Sequence, residues 1–183
     1  MGADPMSAAF SDLASSVAAL ISLTVVGLLA FVAWVDLATR TIPDWISAAL
    51  LLLGVAIRIN AGIGAVAASL AVGVVMFLLL ALVHARGMLG GGDVKLMASL
   101  AVQFSPLDSL RLVAATSIIG GVLVLLHFAL RGLPAPARSP AGSWRPRRLF
   151  TNERWRVRRG GSLPYGVAIA GGGVWTILSG WGA

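Results

Sequence analysis

Apolar residues fill long stretches of this chain, and polar residues gather between the stretches. Four stretches approach the ~20 residues that a helix needs to cross a bilayer. They cover residues 13–35, 64–84, 110–130 and 163–181. We interpret each of them as a transmembrane helix.

Two shorter apolar segments complete the pattern. Residues 45–59 are almost wholly apolar, and Arg58 near their end could extend its side chain to the interface. Residues 94–104 (VKLMASLAVQF) are mildly polar and predict either a brief span or a helix at the interface. The pattern therefore predicts an all-α, polytopic membrane helical bundle of about six transmembrane helices, one of them short.

Composition supports a lipid environment. Of the 183 residues, 58% are hydrophobic and 11% are charged, and the mean hydropathy is +0.91. These values lie outside the range of soluble domains. One domain over residues 1–183 is expected at this length. The sequence has no cysteine, which excludes disulfides, thiolate zinc sites and cysteine-protease chemistry within it.

Most of the basic residues lie in one segment between two predicted helices. The net charge is +7, and nine of the thirteen arginines fall within residues 131–162. Such clustering in a membrane protein reports topology rather than nucleic-acid binding. The segment is rich in proline and arginine, so we expect a flexible cytoplasmic loop that contacts anionic lipid headgroups. No nucleic-acid partner is expected.

The distribution of positive charge favours six spans over five. Six spans with an outer N-terminus place twelve of the fourteen basic residues on the cytoplasmic side. Five spans in the better orientation place ten of them there. Because basic residues prefer the cytoplasmic side, the six-span arrangement is the prediction.

Asp36 lies at the predicted end of the first span. A carboxylate there faces the negative end of the helix dipole, so helix capping does not explain it. A salt bridge to Arg40, four residues later, or exposure at the membrane boundary are the structural alternatives to a functional role.

Asp93 follows Gly90, Gly91 and Gly92 at the start of a predicted helix. As an N-cap it would stabilise that helix by about 1 kcal/mol, which is the structural alternative. The glycine run lets another backbone approach closely, as an extended substrate strand would. The run lacks the Gly-Lys-Ser/Thr of a phosphate-binding loop.

Asp36 and Asp93 stand out as a pair. The sequence has only seven acidic residues, and six spans place both of these aspartates at one membrane face near helix ends. Two carboxyl groups that share a proton provide an acid and a base for peptide hydrolysis, without a metal or cofactor. A small proton- or cation-coupled transporter, or a non-catalytic assembly subunit, are the alternatives.

Several other polar residues have structural interpretations. His84 and His127 lack metal-ligand spacing, so we interpret them as packing residues at helix ends. Asp44 fits the start of a helix after Pro43. Lys95 could tune the charge of Asp93 or contact lipid headgroups.

Three segments resemble the type IV prepilin peptidases, membrane aspartic peptidases with a Gly-x-Gly-Asp motif. Residues 90–96 (GGGDVKL) resemble their second-aspartate motif. Asp36 followed by residues 42–44 (IPD) resembles the family's first-aspartate motif. Residues 164–170 (PYGVAIA) are similar to the start of the family's terminal helix. The three segments occur in the family's order.

The resemblance implies an enzyme of the bacterial inner membrane that removes the basic leader from prepilins. Cleavage would occur at the cytoplasmic face, before the hydrophobic pilin helix, with Asp36 and Asp93 as catalytic residues. The other motif residues implied to bind substrate are Gly90, Gly91, Gly92, Lys95, Pro164, Tyr165 and Gly166.

Larger members of that family also N-methylate the new terminus and carry zinc-binding cysteines. Because this sequence has no cysteine, it is more similar to the short, peptidase-only members that serve tight-adherence (Flp) pili. N-methyltransferase activity is therefore not expected.

Overall fold

A computed structural model describes residues 5–131 and 163–180, and all elements in these ranges are α-helices. The helices are α1 (Pro5–Thr39), α2 (Asp44–Ile59), α3 (Ile63–Ala85), α4 (Gly91–Ala101), α5 (Pro106–Arg131) and α6 (Tyr165–Gly180). The predicted all-α class is confirmed. Nearly all of the predicted basic loop, residues 132–162, lies outside the described residues.

Three helices are long and apolar enough to cross a membrane: α1, α3 and α5. The chain is therefore a helical membrane bundle, as predicted. Helices α2 and α6 have 16 residues each. Helix α4 has 11 residues, a length of about 16 Å, whereas the hydrocarbon core is about 30 Å thick. The segment predicted at residues 94–104 as a brief span or an interface helix therefore contains a helix shorter than the hydrocarbon core.

Helix α4 is nevertheless the most enclosed part of the bundle. Six of its residues are buried: Val94, Leu96, Met97, Ala98, Leu100 and Ala101. It packs against α2, α3 and α6. The long helices instead expose large apolar side chains, including Leu79 and Leu125, on their outer faces. This difference is expected when lipid surrounds α3 and α5 while protein surrounds α4.

Glycines of α6 allow it to approach its neighbours closely. A β-carbon on Gly172 would overlap Thr116 of α5. One on Gly173 would lie 2.7 Å from a methyl carbon of Leu100 and 2.9 Å from one of Leu29. Small residues at such contacts are the usual means of tight helix packing in membranes.

One end of the bundle, here called the aspartate end, gathers six helix termini. It contains the C-termini of α1, α3 and α5 and the N-termini of α2, α4 and α6. A β-carbon on Gly92 would lie 3.2 Å from Cβ of Ile42, and one on Gly91 would lie 3.6 Å from the His84 ring. These contacts join the start of α4 to the α1–α2 turn and to the end of α3.

Candidate active site

Asp36 lies in the last turn of α1 and is almost fully buried, with 5% of its surface exposed. The helix continues to Thr39, four residues beyond the predicted end of the span at residue 35. Asp36 is therefore a helical residue of the last turn. Exposure at the membrane boundary, one of the structural alternatives, does not apply.

Arg40 follows α1 in a left-handed conformation, with φ of 60°. Its backbone N–H donates a hydrogen bond of 3.0 Å to the carbonyl oxygen of Asp36. A non-glycine residue in this region carries backbone strain of about 1 kcal/mol or more, which the surrounding structure must offset. The strained turn ends α1 and places Arg40 beside both aspartates.

Asp93 lies in the first turn of α4, outside the three membrane-spanning helices. The helix begins at Gly91 with Gly90 as its N-cap, so the interpretation of Asp93 as an N-cap is wrong. Asp93 is instead the third helical residue, and its carboxylate accepts a hydrogen bond from the backbone N–H of Gly90. This is the return half of a capping box, in which a side chain satisfies an otherwise unpaired N–H.

The surroundings of Asp93 favour its protonated form. Burial is the largest cause, and together with the negative charge of Asp36 it raises the pKa of Asp93 from 3.8 to about 6. The Gly90 hydrogen bond and the positive charge of Arg40 oppose the increase. A carboxyl group of this kind can hold a proton close to neutral pH and donate it.

Two adjoining cavities contain both aspartates. The smaller has a volume of about 240 Å³, and the larger has a volume of about 560 Å³. Four residues line both of them: Asp36, Arg40, Gly90 and Asp93. The structure therefore brings together two carboxyl groups that are distant in sequence, at one end of the bundle.

The glycine run forms one wall of the smaller cavity. Gly90, Gly91 and Gly92 all line it, opposite Thr41 and Ile42 of the α1–α2 turn. A β-carbon on Gly90 would lie 2.8 Å from Oδ2 of Asp93. Gly90 therefore leaves room for the carboxyl group itself.

The predicted residues at the start of α6 divide between two places. Gly166 is buried against Asp36, and Tyr165 lines the larger cavity. Pro164 lines a separate small cavity with Gly120 and Ala168 instead. Pro164 therefore lies beside the interface between α5 and α6.

Lys95 lines neither aspartate cavity. Its ammonium group donates to both carboxylate oxygens of Asp44, at 2.8 and 2.9 Å. Both side chains are substantially exposed. Asp44, interpreted from the sequence as structural, therefore links α2 to α4 and also lines the smaller cavity.

Two residues of the site are not among those predicted from the sequence. Arg40 is predicted only as a salt-bridge partner of Asp36, and its position one turn after Asp36 is the signal for its place here. His84 is predicted to be a packing residue, but its Nδ1–H donates a 2.7 Å hydrogen bond to the carbonyl oxygen of Leu89. That bond braces the turn before the glycine run, and no sequence pattern pointed to it.

Within residues 5–131 and 163–180, no three histidine or acidic side chains are close enough together to hold a metal ion.

Comparison with known proteins gives one match. Residues 23–125 match the model of the type IV leader peptidase family. The matched part is more than half of the chain and includes both Asp36 and Asp93. No curated protein and no solved structure matches the chain.

Proposed function

The chain belongs to the type IV leader peptidase family, and we propose that it is an aspartic endopeptidase that cuts the basic leader from type IV or Flp-type prepilins. Family membership supports a membrane peptidase and disfavours the transporter and non-catalytic alternatives. The observation that carries the aspartic mechanism is the presence of Asp36 and Asp93 in the same two cavities.

The proposed chemistry needs one ionised and one protonated carboxyl group. The ionised Asp36 takes a proton from water as the water oxygen bonds to the scissile carbonyl carbon. Asp93 donates its proton to the carbonyl oxygen. When the C–N bond breaks, a proton passes to the leaving amine and the carbonyl is restored as a carboxyl group. Each aspartate thus changes protonation state during the reaction.

Arg40 supports this division of roles. Its positive charge acts on Asp93, and its side chain lines both cavities beside Asp36. A neighbouring cation favours the ionised state of a carboxyl group. We assign Arg40 as the residue that keeps the pair from holding two protons at once.

We further propose that the enzyme lies in the bacterial inner membrane with the aspartate end facing the cytoplasm. The support is the excess of basic residues in the segments that connect the helices at this end. The partners in this proposal are the prepilin and anionic lipid headgroups. No cofactor, metal ion or methyl transfer is part of the proposed reaction.

The direct test is cleavage of a full-length Flp-type prepilin by the purified enzyme in lipid nanodiscs. We expect Asp36→Asn and Asp93→Asn each to lower kcat at least about a thousandfold, because each removes an essential proton carrier. Asp108→Asn is the matched control and should cleave normally, because Asp108 lies in the first turn of α5, at the end of the bundle opposite the aspartate end. Full cleavage by either single active-site variant would refute the proposal.

A further inference from the structure

A second feature adjoins the aspartate cavities: an apolar groove between α2, α3 and α4. Its volume is about 400 Å³. It is lined by Asp44, Ser47, Ala48, Leu51, Leu70, Gly73, Val74, Phe77, Lys95, Ala98, Ser99 and Val102. We refer to it as the α4 groove.

The α4 groove runs from the aspartate end toward the interior of the bilayer. Asp44 and Lys95 lie at its outer rim, and Val102 lies at its inner end. The distance from Lys95 to Val102 along α4 is about 10 Å, or two helical turns. Val74 is the middle residue of α3, which is long enough to span the membrane. The groove therefore lies parallel to a helix that enters the bilayer from the aspartate end.

The floor and walls of the α4 groove suit contact with another helix. Small residues line it on α2 and α4, and two of these, Ala48 and Ser99, are exposed and half-buried respectively. Gly73 of α3 serves the internal packing instead, because a β-carbon there would lie 2.5 Å from Cγ2 of Val102. Large apolar side chains flank the small residues, and two of these, Val74 and Phe77, are 58% and 43% exposed. Small residues permit close approach of a helix backbone within a membrane, where no water competes for the contact.

Charge does not bar an apolar partner from the rim. The two charged residues that line the groove, Asp44 and Lys95, form a bidentate ion pair with each other. The pair is neutral overall, so an apolar segment that passes it meets no net charge.

The α4 groove is continuous with the aspartate site. Asp44 lines the groove and also the smaller cavity that contains Asp36 and Asp93. A polypeptide with its scissile bond at the aspartates could therefore continue directly into the groove. The larger aspartate cavity does not continue along α4, because its lining residues, such as Leu89 and Tyr165, lie at the aspartate end.

We propose that the α4 groove receives the first two turns of the hydrophobic helix that follows the scissile bond. This inference rests on the proposed function, because it assumes a substrate whose helix begins at the cleavage site. The peptide would bend at the aspartates, with the leader in the larger cavity and the helix along α4. The groove then selects substrates by the presence of an apolar helix on the carboxyl side of the cut.

Photo-crosslinking gives the first test. A benzophenone amino acid replaces Val74 in the groove or Leu125 on the far face of α5, where the side chain is 71% exposed. The full-length enzyme is mixed with a full-length Flp-type prepilin in nanodiscs. We expect position 74, and not position 125, to crosslink to the first two turns after the cleavage site. Crosslinks from position 74 only to phospholipid or to a second copy of the enzyme would overturn the assignment.

Steady-state kinetics give a second test that does not require a covalent crosslink. Ala48 is exposed in the groove, so Ala48→Trp fills the groove without disturbing the core. The comparison substrate is a peptide that keeps the scissile bond but lacks the hydrophobic helix after it. We expect the ratio of kcat/KM for the prepilin to kcat/KM for this peptide to fall about tenfold. Val122→Trp, at a 58% exposed position of α5, should keep the ratio of the unsubstituted enzyme.

The two proposals fail in different ways. Absence of prepilin cleavage by the unsubstituted enzyme would overturn the proposed function and the groove assignment with it. Normal cleavage together with an unchanged ratio in Ala48→Trp would overturn the groove assignment alone.

Discussion

Gly166 at the start of α6 lies directly against the carboxyl group of Asp36 in α1. A β-carbon on Gly166 would be 2.9 Å from both Cγ and Oδ2 of Asp36. That separation is too short for any side chain, so the absence of one leaves the space that the carboxyl group occupies. The terminal helix thus positions a proposed catalytic residue from the far end of the sequence.

Gly166→Ala should therefore displace the Asp36 carboxyl group. We expect kcat for prepilin cleavage to fall about a hundredfold, since a shift near 1 Å in a reacting group has effects of this size. Gly180→Ala is the matched control in the same helix, because no atom lies within 4 Å of a β-carbon there. Steady-state kinetics, with size-exclusion profiles to verify folding, would measure the effect. Equal activity of the two variants would contradict the assigned contact.

Alanine substitutions at Gly90, Gly91 and Gly92 should lower kcat to different extents. A β-carbon would lie 2.8 Å from Asp93 Oδ2 at Gly90, 3.2 Å from Ile42 at Gly92, and 3.6 Å from His84 at Gly91. We expect the loss of kcat to follow this order, largest for Gly90→Ala and within about threefold of the unsubstituted enzyme for Gly91→Ala. Kinetics of the three single variants provide the comparison. An inverted order would show that these contacts do not control the site.

The activity should depend on the protonation of Asp93. Burial and the Asp36 charge raise its pKa to about 6. Raising the pH through this value removes the proton that the mechanism donates, so kcat/KM should fall above about pH 6. Because Arg40 lowers the pKa of Asp93, Arg40→Gln should move this descending limb to higher pH.

The control for the pH profile is Arg111→Gln. Arg111 is paired with Asp108 near the start of α5, at the other end of the bundle. The substitution removes the same charge, and the limb should stay in place. A descending limb at equal pH in Arg40→Gln and the unsubstituted enzyme would refute the electrostatic assignment.

His84 should control the rigidity of the turn before Asp93. Its Nδ1–H donates to the Leu89 carbonyl oxygen, and its ring would lie 3.6 Å from a β-carbon on Gly91. We expect His84→Ala to speed amide hydrogen exchange in the turn and in the first turn of α4, and to lower kcat several-fold. His84→Gln, which keeps a donor, should recover part of the loss. Unchanged exchange in His84→Ala would mean that the bond does not hold the turn.

The sequence by itself determined the helices and the chemical types at the site. Apolar length is a local property, because a helix in lipid satisfies its backbone hydrogen bonds within one segment. The spans at 64–84 and 110–130 therefore agree with α3 and α5 to within a few residues. Asp36 and Asp93 could be selected because so few acidic residues occur in the sequence.

Only the tertiary structure decided which side chains meet. The sequence left open whether Lys95 faces Asp93, and the fold directs it to Asp44. The close contact between Gly166 and Asp36 was equally invisible. Such contacts depend on the rotation and depth of each helix relative to its neighbours. Packing between segments distant in sequence sets both quantities, and the apolar pattern of a single helix does not encode them.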